Sequence, residues 1–146
     1  HLENKMDIYK EEVMDHYEHP RNQGSFGDAP AKGGQAGQVI EGKDANASCG
    51  DMVQFQIRVK KVPNSGTSES SELEIIDEVK WKGIGCAITT ASASKLSEYL
   101  KGQALKVVQE MSEEELLEKG IGFSVNPGRE KCLTLPVKVV KKLLES

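Results

Sequence analysis

The stretch Gly83-Ile84-Gly85-Cys86-Ala87-Ile88-Thr89-Thr90-Ala91-Ser92-Ala93-Ser94 is where a strand gives way to a helix. Leu73 to Trp81, just upstream, reads as a strand, and the Gly-x-Gly turn that follows lets the backbone fold tightly. Downstream, Ile88, Ala91, Leu96, Tyr99 and Leu100 recur at helical spacing, and Gly102 stands where a C-terminal capping glycine belongs. Cys86 is therefore expected at or near a helix N-terminus, where aligned peptide dipoles favour negative charge and lower a thiol pKa. A thiolate is both the nucleophilic and the metal-binding form of cysteine. Taken alone, Cys86 reads more readily as a small buried residue packed like alanine, so its meaning depends on the rest of the chain.

Working outward, Val53, Phe55, Ile57 and Val59 alternate strictly with Gln54, Gln56 and Arg58, the pattern of a half-buried strand. Pro63 to Ser71 is a polar hairpin connection, and the return strand carries Leu73, Ile75, Val79 and Trp81, with a slip in phase near Ile76 that reads as a bulge. Gln38 to Asp44 is a candidate edge strand. Met6 to Tyr17 predicts a helix with Met6, Tyr9, Val13 and Tyr17 on its inner stripe, ending at His19-Pro20 because proline disfavours helical geometry in the residue before it. Arg21 to Gly37 is glycine-rich and reads as a loop. Ser112-Glu113-Glu114-Glu115 is a capping-box pattern. After Asn126-Pro127-Gly128 the last helix buries Leu133, Val137, Val140 and Leu144, with Pro136 in or near its first turn and Cys132 close to its N-terminus.

With 146 residues the chain is one domain of ordinary size; residues 1–5 are expected to be an expression remnant or a disordered tail, and 6–146 the domain. Its 37% hydrophobic and 29% charged residues, and the lack of an apolar run near the roughly 20 residues a spanning helix needs, argue against a membrane protein. A formal charge of −4 argues against a general nucleic-acid binder, which needs a basic face. Three cysteines with no secretory signal point to the reducing cytoplasm, where cysteine serves metals or catalysis more than disulfides.

Each cysteine sits at the end of an element. Cys49 precedes a strand, and Cys86 and Cys132 precede helices. Their separations of 37 and 46 positions are too long for a zinc finger or a CxxC pair, so any shared site must be assembled by the fold. Asp51 is the nearest candidate for a fourth ligand, since residues i and i+2 of an extended segment point the same way. From local sequence alone Asp51 reads first as a turn aspartate bonding its own backbone. His16 and His19 read as surface or turn histidines rather than ligands.

Taken together, Asp15-His16-Tyr17-Glu18-His19-Pro20-Arg21-Asn22, Cys49-Gly50-Asp51, Gly85-Cys86-Ala87-Ile88 with Ala91-Ser92-Ala93-Ser94, and Lys131-Cys132 resemble the IscU/NifU-type iron–sulfur cluster assembly scaffolds, in order and from Met6 to Glu145. The resemblance implies an α+β fold, a three-stranded antiparallel sheet with helices on one face. It implies a scaffold rather than an enzyme, one that accepts sulfur from a cysteine desulfurase, builds a [2Fe–2S] cluster on Cys49, Asp51, Cys86 and Cys132, and passes it to apo-proteins. Iron is then the metal, with zinc as an alternative occupant; a frataxin-type or chaperone partner also belongs to the implied set. Two positions depart from the IscU pattern. Lys131 replaces the histidine before the last cysteine and is similar to the SufU branch, zinc-dependent sulfur carriers with the same ligands. Val125-Asn126-Pro127-Gly128-Arg129 replaces the chaperone-binding Leu-Pro-Pro-Val-Lys motif. Cys132 and Cys86 are the expected persulfide acceptors, Cys132 first, because both adjoin helix N-termini and Lys131 adds positive charge.

Overall fold

A computed structural model describes residues 11–26, 38–46, 50–63, 72–125 and 127–145. Within them, β1 (Gln38–Asn46), β2 (Asp51–Pro63) and β3 (Glu72–Ile84) form one antiparallel sheet in the order β1-β2-β3. Residues 11–18 are helical (α1), and α2 (Ala87–Leu100), α3 (Leu105–Glu110), α4 (Glu113–Leu116) and α5 (Glu130–Leu144) follow the sheet. A short π-helical turn, Leu117–Ile121, continues α4, and a 3-10 turn, Pro127–Arg129, leads into α5. The expected Met6 start and the hairpin connection lie largely outside the described residues.

The alternation of β2 sets the core. Val53, Phe55, Ile57 and Val59 are buried against the helices, and their partners on β3 are Gly83, Trp81, Val79 and Ile76. Between Val79 and Ile76 the register slips: Arg58 pairs with Glu78 and Val59 with Ile76, leaving Asp77 as the extra residue of a bulge. The bulge brings Ile76, not Ile75, into the core, and Arg58 and Lys60 hold Asp77 on the outer face at 2.8 and 3.4 Å.

Helix α5 packs on β1, β2 and α2, while α2 packs on β3 and α5. Because β3, α5, the Leu117–Ile121 turn and α1 all pack against α2, it is buried almost all round, serines included. Each buried hydroxyl needs a partner. Ser92 donates to the Leu133 carbonyl on α5 at 2.7 Å. Ser94 meets His16 Nδ1 at 2.6 Å and accepts from the Arg21 amide at 2.9 Å; Ser97 accepts from Asn22 Nδ2 at 3.0 Å.

This network corrects two expectations. His16 is buried at 6% exposure and pins α1 to α2, whereas Tyr17 stands 47% exposed; the inward stripe is Val13–His16. His19 is exposed, as expected. The expected loop after Pro20 also does more than connect. Trp81 accepts from Gly24 and donates to Asn22 through its backbone, and its indole donates to the Arg21 carbonyl at 2.7 Å.

Two helix signals were legible. Ser112 and Glu115 make the reciprocal capping box, and Gly102 follows α2 with φ +92°. Pro136, however, is the seventh residue of α5. The helix begins earlier than the proline suggested, directly after the Pro127–Arg129 turn, and the missing Pro136 N–H leaves the Cys132 carbonyl without its usual intrahelical donor.

Candidate metal centre

Three element ends meet at one edge of the domain. Asp51 is the first residue of β2. Cys86 is the N-cap of α2, and Cys132 is the third residue of α5. The pairing of Met52 with Ile84 sets Asp51 beside the exit of β3, which leads directly to Cys86. Asn46 pairs with Asp51 and its side-chain amide donates to the Lys131 carbonyl at 3.0 Å, tying the start of α5 to the same hairpin end. Gly50, at φ +75°, makes the turn that an L side chain would resist.

The ligand atoms of Asp51, Cys86 and Cys132 lie within 4.8 Å of one another. Asp51 is 4% exposed, and its Oδ2 accepts from the Cys132 thiol at 3.3 Å. Its local reading as a turn aspartate is therefore superseded: the carboxylate is directed at a thiol across the domain. Gly83 and Gly85 are required for space rather than for positive φ. A Cβ on Gly85 would stand 2.8 Å from Asp51 Oδ1 and 3.0 Å from Thr89 Cβ, and one on Gly83 would stand 2.5 Å from the Met52 carbonyl oxygen.

The two thiols differ in proton affinity. Burial opposes ionisation of Cys86, but the Thr89 amide, the Cys132 thiol, the Thr89 hydroxyl and the Ile88 amide outweigh it, so its pKa lies below the ordinary thiol value. Burial, the Cys86 sulfur and the Asp51 carboxylate push Cys132 up to about 12, against the Thr89 hydroxyl. Proximity to a helix N-terminus thus predicts the direction for Cys86 and fails for Cys132, where burial beside a carboxylate outweighs the dipole.

One carboxylate and two thiols form a donor set suited to zinc or iron. With Zn–S near 2.3 Å, the ligands of a tetrahedral ion stand about 3.8 Å apart, so the three groups need only small side-chain shifts to share one ion. Cys49 lies outside the described residues. Lys131 is exposed and without an ion pair among the described residues; what ties it to the site is its carbonyl. Sequence reasoning missed Asn46 and Thr89, the latter because a threonine in a helical run carries no local signal of what it faces.

A buried carboxylate and two thiols gathered from three element ends make a candidate metal site on an α+β domain. The chain belongs to the NifU-like N-terminal domain family, whose profile matches residues 8–145. It is 32% identical over 133 residues to the iron–sulfur cluster assembly scaffold protein IscU of Haemophilus influenzae, covering 91% of this chain and 90% of that protein. It is 26% identical over 151 residues to the zinc-dependent sulfurtransferase SufU of Bacillus subtilis, covering 92% and 88%. Among solved structures, the N-terminal part of a nitrogen-fixing NifU-like protein of Brucella abortus shares the fold, with TM-score 0.60, 12% identity and coverage of 95% and 93%.

Proposed function

We propose that this chain is a scaffold for iron–sulfur cluster assembly, on which a [2Fe–2S] cluster is built and then released to apo-proteins. The observation that carries this reading is the convergence of Asp51, Cys86 and Cys132 within 4.8 Å. Cys49, two positions before Asp51, completes the proposed ligand set. Sulfur comes from a cysteine desulfurase: a scaffold thiolate attacks the outer sulfur of the donor's persulfide, the new S–S bond forms, and the donor's cysteine leaves as thiolate. Cys86 and Cys132 are the candidate acceptors, and in the metal-free protein the lower proton affinity of Cys86 makes it the readier nucleophile. Asp51 supplies one hard oxygen among soft sulfurs, the weakest hold in the set and so the point of release.

Lys131 and the likeness to SufU support a second reading, a zinc-dependent sulfurtransferase using the same ligands. No helix among the described residues is long and apolar enough to cross a membrane; a cytoplasmic location and a single domain over 6–146 are part of the proposal. Anaerobic reconstitution with ferrous iron, cysteine and a desulfurase, followed by transfer to apo-ferredoxin, separates the two readings. A scaffold turns brown, with sulfur-to-iron absorption that moves to the ferredoxin; a zinc carrier stays colourless and transfers sulfur alone.

A further inference from the structure

Thr89 is the third residue of α2, one turn beyond Cys86, and is 2% exposed. Its Oγ1 lies 3.7 Å from Cys86 Sγ. Among the described residues Cys86 is the one hydrogen-bond partner of that hydroxyl. A threonine inside a helix ordinarily turns its hydroxyl back to a carbonyl three or four residues earlier. This one is directed at sulfur, in the position from which a capping-box side chain would reach back to the N-cap. Its place is fixed from behind by the Gly85 backbone, where there is no room even for a methyl group between Thr89 and Asp51.

We propose that Thr89 is a positioning residue of the metal centre: its hydroxyl donates to the Cys86 sulfur and holds that sulfur facing Asp51 and Cys132. The inference rests on the reading of these three residues as metal ligands. A buried hydroxyl needs an acceptor, and a ligating thiolate provides one. The bond orients the sulfur before the metal arrives and draws charge from it once the metal is bound. Removing such an outer partner of a ligand costs about 10–100-fold in metal affinity.

Cobalt(II) is the probe, because its thiolate charge-transfer band reports the sulfur's electron density directly. In Thr89→Val, which keeps the shape and loses the hydroxyl, the band should move to lower energy and cobalt affinity should fall at least about tenfold. Thr89→Ser, which keeps the hydroxyl and loses the methyl, should match wild type in both. A packing role predicts the reverse order, with valine tolerated and serine impaired, and that result overturns the proposal. So does a valine variant indistinguishable from wild type. If the valine variant does not fold, Thr89→Ala is compared with Thr89→Ser by the same two readouts; equal behaviour of alanine and serine overturns the proposal. A wild-type protein with no thiolate-to-cobalt band overturns the metal-centre reading and this inference with it.

Discussion

The Cys132 thiol donates to the Asp51 carboxylate across 3.3 Å, joining the first turn of α5 to the first residue of β2 over 81 positions of sequence. Burial first, then Cys86 and the Asp51 carboxylate, push the Cys132 pKa up to about 12, so the thiol stays protonated in the metal-free protein. Cys86, a few ångströms away, is biased the other way. Metal binding at this centre must therefore displace the Cys132 proton.

The thiol asymmetry predicts an order of chemical modification. At pH 7.5 and without metal, iodoacetamide should label Cys86 well before Cys132, because the thiolate is the reactive form. Mass spectrometry of peptides after brief labelling reads this. Equal rates, or Cys132 first, would show that burial beside Cys86 and Asp51 does not hold the Cys132 proton.

Replacing Asp51 by Ala should leave cluster assembly in place and slow cluster loss severalfold. The carboxylate is the hard, exchangeable member of a mostly sulfur set. Decay of visible absorbance in excess chelator compares the two proteins, and faster decay in Asp51→Ala would contradict the release role.

Gly85→Ala places a methyl 2.8 Å from Asp51 Oδ1 and 3.0 Å from Thr89 Cβ. Overpacking of this kind costs about 1–3 kcal/mol. The displaced groups belong to the centre, so zinc affinity should fall by more than folding stability does. Urea unfolding and zinc competition against a chromophoric chelator measure the two; a variant with native zinc affinity would place Asp51 outside the ligand set.

His16 makes stability depend on pH. Its Nδ1 meets Ser94, its Nε2 faces Glu98 at 3.7 Å, and Arg21, Asp15 and Lys95 surround it. Burial first, then Arg21, holds its pKa below the ordinary value despite Glu98 and Asp15. The unfolded chain protonates near the usual histidine pKa of about 6.5, the folded one only lower. Stability is therefore complete above about 6.5 and falls as pH drops from there toward the folded pKa. Urea midpoints between pH 7.5 and 5.5 should fall for the wild type and stay flatter for His16→Gln. That variant should itself lose about 1–3 kcal/mol at neutral pH, because the buried Ser94 hydroxyl loses its His16 partner. Parallel pH slopes for the two proteins would refute the assignment.

The parts of the fold that were legible are those governed by local periodicity. The alternation from Val53 to Val59, the slip at Ile76 and the Ser112 box each depend on a few neighbours in sequence. An apolar stripe through α1 points to Tyr17 as the inner residue, whereas that position goes to His16, a histidine satisfied by Ser94, 78 positions away. Pro136 misplaced the start of α5 because the Pro127–Arg129 turn, not the proline, sets it. At the centre, Cys86 and Cys132 were legible as element ends. The approach of Asp51 to Cys132 follows only from the family resemblance and not from local pattern, because it depends on strand register and on the Asn46 bond to Lys131, neither of which has a local signature.

Whether Cys49, Asp51, Cys86 and Cys132 share one metal can be read from zinc K-edge X-ray absorption on the zinc-loaded protein. A shared site gives three sulfur scatterers near 2.3 Å and one oxygen at about 2.0–2.2 Å, with one sulfur lost in each single Cys→Ser variant. A first shell of oxygen and nitrogen alone, unchanged by the Cys86→Ser and Cys132→Ser replacements, would contradict it.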